Sequence, residues 1–144
     1  MNKKTIVLIE DNLDDELLTI RALKKNNISN EIVVFRDGEE ALNWILGRND
    51  YANKSSDNLP VFILLDLQIP KIDGLEILKH VKSDELMKKV PVIILTTSTE
   101  EMDIEESYKL HANSYIRKPV DYEEFTSLIK SLSDYWINLN RTHL

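Results

Sequence analysis

The sequence of 144 residues contains no cysteine. A chain without thiols gives no sign of an oxidising compartment, and it excludes thiolate metal sites and thiol catalysis. Long hydrophobic runs are also missing. The apolar stretch from Ile6 to Ile9 follows Lys3 and Lys4, but it is far too short for a signal sequence or for the ~20 residues of a membrane span. We therefore expect a cytoplasmic protein that does not enter a membrane.

Positive charge is scarce, because 18 Lys and Arg residues stand against 25 Asp and Glu residues and give a net charge of −7. Proteins that bind nucleic acid draw on clustered basic residues, so we expect no nucleic-acid partner. Internal repeats and low-complexity segments are absent as well. With 42% apolar residues, the chain can bury a core of its own. We predict one domain over residues 1–144.

The rest of the sequence alternates between strand and helix patterns. Short runs rich in Val and Ile are typical of buried parallel strands. The predicted strands are 5–9, 32–35, 61–65, 92–95 and a short one at 115–117. The helices between and after them are preceded by the capping residues Asn12, Asp37, Asp73, Ser98 and Asp121. This alternation predicts an α/β fold with a parallel sheet.

Two segments are longer than the alternation requires. Residues from about 47 to 60 lack any period and are rich in turn formers, which predicts a long surface loop. The last helix pattern runs from about residue 121 to 139, and at ~1.5 Å per residue it would extend past a five-residue strand of ~3.3 Å per residue. Trp136 and Leu139 would then be exposed as a surface for a second copy or another partner, unless the helix after Asn12 covers them.

Polar side chains with a shared chemistry follow the predicted strands. These are Glu10 and Asp11 after the first strand, Asp66 after the third, Thr96 after the fourth and Lys118 after the last. Parallel sheets bind ligands outside the carboxyl ends of their strands, so we expect these side chains to meet. Three carboxylates, one hydroxyl and one ammonium together suit a hard divalent cation and a phosphoryl group.

Each of these residues also has an ordinary structural interpretation. An acidic pair after a strand is often the solvated start of a helix, and Asp66 could be a helix N-cap, although Asp73 is better placed for that role. Thr96 and Thr97 are compatible with plain strand residues, and Lys118 with a loop. All of these interpretations would have to hold at once, so we favour a joint site. The three histidines share no metal-binding spacing and receive no role.

The order of these residues resembles the receiver domain of two-component response regulators. The resemblance covers nearly the whole chain and rests on Glu10-Asp11, the segment 66–70, Asp73-Gly74, the segment 91–97, Tyr115 and Lys118-Pro119. It implies an α/β, flavodoxin-like, doubly wound fold, in which a five-stranded parallel sheet of order 2-1-3-4-5 is covered by five helices. A narrower resemblance is to the single-domain regulators that serve bacterial phytochrome-type histidine kinases. It rests on the segments 95–98 and 107–116, the long loop and the late Trp136.

The resemblance implies roles for the acidic residues. In the family, the Asp that matches Asp66 attacks a phosphohistidine and becomes an acyl phosphate. Glu10, Asp11 and Asp66 would hold Mg²⁺ together with the backbone carbonyl of Gln68. Oxygen ligands of this kind are those that Mg²⁺ prefers. Gln68 is longer than the Asn that many receivers have at this position, which would alter the access of water.

The resemblance also implies a switch. Lys118 would pair with Asp66 before transfer and with a phosphoryl oxygen afterwards, and Thr96 would donate its hydroxyl to the phosphoryl group. Tyr115 would follow Thr96 inward and change the face formed by the last two helices. The Lys118–Pro119 peptide would be cis. His111 occupies a turn where many relatives have glycine, so the local backbone is expected to differ.

We therefore expect a single-domain response regulator, not an enzyme, that a sensor histidine kinase phosphorylates on Asp66. A phosphorelay intermediate, a receiver fragment of a larger regulator and an adaptor with a decayed site remain alternatives. A Mg²⁺-dependent phosphohydrolase is disfavoured because it usually needs a second acid two residues after the nucleophile, where Gln68 stands. A transcription factor is excluded unless the chain is a fragment, since only a short tail follows the last helix.

Overall fold

The structure is a computed structural model that describes residues 4–48 and 58–141. The described strands form one parallel sheet in the order β2-β1-β3-β4-β5. They are β1 (Ile6–Ile9), β2 (Ile32–Phe35), β3 (Phe62–Leu65), β4 (Val92–Thr96) and β5 (Ser114–Arg117). Five helices alternate with them: α1 (Leu13–Lys25), α2 (Gly38–Ile45), α3 (Gly74–Ser83), α4 (Glu101–Lys109) and α5 (Tyr122–Ser133). The predicted flavodoxin-like fold is confirmed.

The sheet is buried between two layers of helices. Every residue of β1, β3 and β4 is buried, and alternate side chains of a strand point to opposite faces. Val7 and Ile9 join one core cluster with Ile45 of α2 and Leu78 of α3. Ile6 and Leu8 of β1 face the other side, where they join a second cluster with Leu23 of α1 and residues of α5. Helices on both faces explain why these strands show no polar alternation.

Side-chain caps fix where several helices begin. Asn12 Oδ1 accepts from the Asp15 amide at 3.0 Å, and Asp37 Oδ1 accepts from the Glu40 amide at 2.8 Å. Asp121 Oδ1 accepts in the same way at α5. Each bond satisfies an amide that the helix itself leaves unpaired. These three of the five predicted caps are therefore confirmed, and so is Asp73 at α3, whose Oδ1 accepts from the Leu75 amide at 3.1 Å.

Helix α4 is held differently. Its N-cap is Glu100, which makes no capping bond through its side chain. The predicted cap at Ser98 is wrong, because the Ser98 hydroxyl donates to Asp103 at 2.6 Å and accepts from the Glu100 amide at 3.3 Å. Ser107 is the one residue of α4 that is buried, and among the described residues its hydroxyl has no hydrogen-bond partner.

The last helix changes its pitch. After α5, the chain continues as a π-helical segment, Asp134–Leu139. Leu139 is 69% exposed, as the length of the pattern predicts. The expected exposure of Trp136 is wrong, because its ring is half-buried and packs against the cluster that contains Leu23 of α1. This cluster contains Ala22 and Leu23 of α1, the helix that the alternative expectation places over this position.

The other long segment falls mainly outside the described residues, which omit 49–57. Gly47 directly follows the last turn of α2 with φ 68°, a left-handed conformation that suits glycine at a helix end. Across the described ranges, each helix is too short or too polar to cross a membrane.

Candidate functional site

The carboxyl ends of the strands bring the predicted site residues to one edge of the sheet. Backbone hydrogen bonds continue the sheet one residue beyond the strands. The Asp66 amide donates to the Ile9 carbonyl at 3.0 Å, and the Lys118 amide donates to the Thr96 carbonyl at 2.7 Å. The Glu10 amide bonds to β2 in the same manner, at 3.0 Å. These bonds fix the backbones that carry the functional side chains.

Three carboxylates form a compact cluster. One oxygen from each of Glu10, Asp11 and Asp66 lies within 4.8 Å of the others. Glu10 and Asp66 are buried, at 3% and 7% exposure, whereas Asp11 is exposed. Buried carboxylates this close need a compensating cation. A donor set made only of oxygens fits a hard divalent ion.

Lys118 supplies one positive charge to the cluster. Its ammonium is 5% exposed and donates to Glu10 Oε1 at 2.5 Å, to Asp66 Oδ2 at 2.9 Å and to Asp15 Oδ2 at 2.9 Å. Three partners use all three of its donors. Burial alone would lower the pKa of Lys118, but these hydrogen bonds outweigh burial and hold the pKa above its usual range. The group is therefore a permanent cation.

The pKa of Glu10 is raised as well, which for a carboxyl group favours the neutral form. Burial raises the pKa of Glu10 to about 7, while the Lys118 hydrogen bond and charge lower it and the nearby Asp66 raises it. Burial has the larger effect because it disfavours the charged carboxylate. A metal ion held by Glu10 would therefore compete with a proton near neutral pH.

The cluster opens into a cleft of about 470 Å³. Its walls are formed by Asp11, Asn12, Leu13, Asp14, Asp15, Asp66, Gln68, Thr97 and Lys118. The backbone amide of Gln68 donates to Asp66 Oδ1 at 3.0 Å and so orients the Asp66 carboxylate. The Gln68 side chain accepts from the Thr97 hydroxyl at 2.9 Å. This exposed bond joins the β3–α3 and β4–α4 loops across the mouth of the cleft.

Asp15 is the residue that the sequence analysis missed. It lies in the first turn of α1, and its backbone amide donates to the N-cap Asn12. A signal for it was available, because the N-cap places this first turn at the same edge of the sheet as Glu10 and Asp11. The pattern of strand ends does not include helix residues, and so it does not reveal Asp15.

Thr96 and Tyr115 each form a hydrogen bond with Ser98, in the loop between β4 and α4. Thr96 is fully buried, and its Oγ1 accepts from the Ser98 amide at 3.5 Å. The half-buried Tyr115 donates its hydroxyl to the Ser98 carbonyl at 3.0 Å. Burial raises the pKa of Tyr115, so the phenol remains a donor. The described bonds thus connect both switch candidates to Ser98, and they place neither side chain on Asp66.

One expectation about the backbone is wrong. No peptide of the described residues is cis, so the bond between Lys118 and Pro119 is trans, which is the form that X-Pro bonds prefer by about 0.5–1 kcal/mol. Lys118 reaches Glu10 and Asp66 without the cis geometry. The turn at His111 has a left-handed conformation, with φ 71°, although the residue is not glycine.

Comparison with known proteins agrees with this geometry. Residues 6–130 match the family described as response regulator receiver domain. Response regulator Rcp1 of Synechocystis is 36% identical over 134 residues, which cover 93% of this chain and 89% of Rcp1. The probable methanogenesis regulatory protein FilR2 of Methanothrix harundinacea is also 36% identical, over 137 residues that cover 95% of this chain and 86% of FilR2.

Solved structures extend the similarity to three dimensions. The phosphorylated cyanobacterial phytochrome response regulator RcpA superposes with a TM-score of 0.90 at 39% identity, covering 98% of this chain and 99% of RcpA. The Mn²⁺-bound form of Rcp1 gives a TM-score of 0.90 at 33% identity, covering 99% of this chain and 100% of Rcp1.

Proposed function

The chain belongs to the response regulator receiver domain family, and we propose from this premise that Asp66 accepts a phosphoryl group from a sensor histidine kinase. One observation carries the assignment of the residue. The buried Asp66 carboxylate lies 2.9 Å from the Lys118 ammonium and within the cluster formed with Glu10 and Asp11. It combines a nucleophilic oxygen, a permanent cation and ligands for a metal ion.

The transfer step follows from these contacts. An oxygen of Asp66 attacks the phosphorus of a phosphohistidine, an O–P bond forms, the P–N bond breaks and the histidine nitrogen keeps the electron pair. The backbone amide of Gln68 and the ammonium of Lys118 hold the Asp66 carboxylate in position. Lys118 is also placed to offset the negative charge on the phosphoryl oxygens. The product is an aspartyl phosphate.

The metal of the site is proposed to be Mg²⁺. Glu10, Asp11 and Asp66, with the backbone carbonyl of Gln68, would hold it, and the donor set of oxygens fits such an ion. The bound ion would neutralise charge on the carboxylates and the phosphoryl group. That Rcp1 has a Mn²⁺-bound form supports a divalent cation in a relative of the same fold.

The output is proposed to pass through Thr96 and Tyr115. When the Thr96 hydroxyl turns to a phosphoryl oxygen, it leaves the Ser98 amide, and the loop that also binds Tyr115 must rearrange. Because Tyr115 bonds to this loop through its hydroxyl and to Tyr108 of α4 through its backbone amide, the change would reach the α4–β5–α5 face. The chain then signals by contact, as a regulator and not as an enzyme, in the cytoplasm.

The kinase is proposed to be of the phytochrome type, because RcpA is a phytochrome response regulator. FilR2, which is named as a methanogenesis regulator, has the same sequence identity to this chain as Rcp1. A histidine kinase with a sensor other than a phytochrome is therefore the alternative. A role as phosphorelay intermediate, in which Asp66 passes the group to another protein, also uses the same acceptor. Transfer of the phosphoryl group from Asp66 to a histidine-containing partner would identify a relay intermediate.

Mass spectrometry after incubation with a small phosphodonor and Mg²⁺ tests the proposal. We expect one phosphoryl group on Asp66 and none on Asp66→Asn, which is nearly isosteric but lacks the nucleophilic carboxylate. Undiminished labelling of the variant at another residue would refute the acceptor assignment. A phosphohydrolase would instead release phosphate in repeated turnover, for which Gln68 provides no acid.

A further inference from the structure

We propose that Asp15 is a positioning residue for Lys118, which keeps the ammonium beside the site when Glu10 and Asp66 turn to a metal ion and a phosphoryl group. This inference rests on the proposed function. Lys118 has three carboxylate partners. Two of its three carboxylate partners belong to the metal cluster, and the third, Asp15, does not.

The contact with Asp15 is as close as the contact with Asp66. Lys118 Nζ lies 2.9 Å from Asp15 Oδ2 and 2.9 Å from Asp66 Oδ2. The backbone around Asp15 is fixed at both ends, because its amide donates to Asn12 and its carbonyl accepts from the Thr19 hydroxyl at 2.7 Å. A carboxylate on a fixed turn of α1 therefore reaches a cation that directly follows β5.

Metal binding changes the balance of forces on Lys118. An ion held by Glu10, Asp11 and Asp66 takes over their oxygens and repels the neighbouring ammonium. Asp15 is free of this exchange, since its carboxylate lies outside the cluster and its side chain is 27% exposed. It can retain one N–H of Lys118 while the other two turn to a phosphoryl oxygen.

Without Asp15, Lys118 would have only two anionic partners, and both are proposed metal ligands. The ammonium would then compete directly with the ion for the same oxygens. Loss of Asp15 should therefore weaken metal binding more than loss of an equal charge nearby. Asp14 provides the matched control, because it is an exposed carboxylate in the same turn of α1 and lines the same cleft.

The test compares Asp15→Asn with Asp14→Asn by lysine ¹H–¹⁵N ammonium spectra and Mg²⁺ titration. A hydrogen-bonded ammonium exchanges its protons slowly, so the Lys118 signal, assigned with Lys118→Arg, should persist in wild type and in Asp14→Asn at saturating Mg²⁺. In Asp15→Asn it should disappear when Mg²⁺ is added. The dissociation constant for Mg²⁺ should rise about 5-fold or more beyond that of Asp14→Asn, the low end of typical coupling between sites.

Persistence of the Lys118 signal in Mg²⁺-saturated Asp15→Asn would overturn the inference. An equal change of Mg²⁺ affinity in the two variants would overturn it as well, because that result assigns the effect to net charge alone. These readouts need no phosphorylation. Wild-type protein that binds Mg²⁺ but takes up no phosphoryl group would refute the proposed function and leave the placement of Lys118 to be decided by the spectra.

Discussion

At the scale of single residues, Glu10 couples the site to pH. Its pKa is raised to about 7 from 4.5 by burial, so the folded state binds a proton that the unfolded state has released between these values. The free energy of unfolding gained from this proton is fully present below pH 4.5 and is lost as pH rises through about 7. Lys118 donates to Glu10 and, through its other two N–H groups, to Asp66 and Asp15.

We expect the metal-free protein to lose stability relative to Glu10→Gln between pH 4.5 and 7, by at most about 3 kcal/mol. Urea unfolding of both proteins across this range measures the difference. Mg²⁺ affinity of the wild type should rise over the same interval as the proton leaves. A stability difference that does not vary with pH would show that Glu10 keeps an ordinary pKa.

The exposed Asp11 gives a second prediction at this scale. Asp11→Asn removes a proposed ligand, so Mg²⁺ binding should weaken at least ~10-fold, the smallest cost usually seen even for groups that only support a ligand. Repulsion among the carboxylates falls, so the metal-free variant should be as stable as wild type or more so. Thermal unfolding and a Mg²⁺ titration, with Asp14→Asn as the control, check both parts. An unchanged titration would remove Asp11 from the ligand set.

At the scale of elements, the loops that frame the cleft are joined by the bond between Gln68 and Thr97. Thr97→Ala removes the hydroxyl that donates to Gln68 at 2.9 Å, whereas Thr97→Ser keeps it. A hydrogen bond of this kind contributes about 0.5–1.5 kcal/mol, so opening the mouth to water should shorten the phosphoryl lifetime by roughly 2- to 10-fold. The decay of labelled protein, followed by mass spectrometry, tests this. Equal lifetimes for the alanine and serine variants would contradict it.

Sequence reasoning works well where one interaction dominates an element. The strands were predictable to within about one residue because runs such as 62–65 are buried on both faces. The caps at Asn12 and Asp121 were predictable because the side chain bonds to an amide three residues on. Prediction from the sequence fails where a side chain has two competing hydrogen-bond partners. Ser98 has the pattern of a cap, but Asp103 lies close enough to take its hydroxyl.

The candidate site was predictable for the same reason. Topology alone brings the strand ends together, and so Glu10, Asp11 and Asp66 are found as a cluster. Asp15 required the orientation of α1, which strand ends do not specify. The environment of Trp136 likewise depends on how α1 and the last helix pack, so its burial could not be read from the period of one helix.

At the scale of the whole molecule, the end of the last helix is the surface that we propose for self-association. Leu139 is 69% exposed and Tyr135 is 50% exposed, while Trp136 packs inward. Leu139→Ser should leave stability within about 0.5 kcal/mol, as surface substitutions usually do, yet it should weaken a dimer formed through this end. Tyr122→Ser, at the exposed start of α5, is the control.

Light scattering of both variants and of wild type, before and after phosphorylation, measures the molar mass. Wild-type protein that is a monomer in every state would exclude the dimer, although not a different partner at this end. A dimer that Leu139→Ser leaves intact would place the contact elsewhere on the molecule.

The small buried surface of α4 affects the order in which parts of the molecule unfold locally. Ser107 is the one buried residue of this helix, and its hydroxyl is unpartnered among the described residues. An element with so little buried apolar surface opens at a lower free energy than its neighbours. Amide hydrogens of α4 should therefore exchange with solvent well before those of α3, where Ile77, Leu78 and Val81 are buried. Equal protection of the two helices would contradict this. Of helices α1 to α5, the one with the fewest buried residues is thus the helix that the proposed signal from Asp66 would have to move.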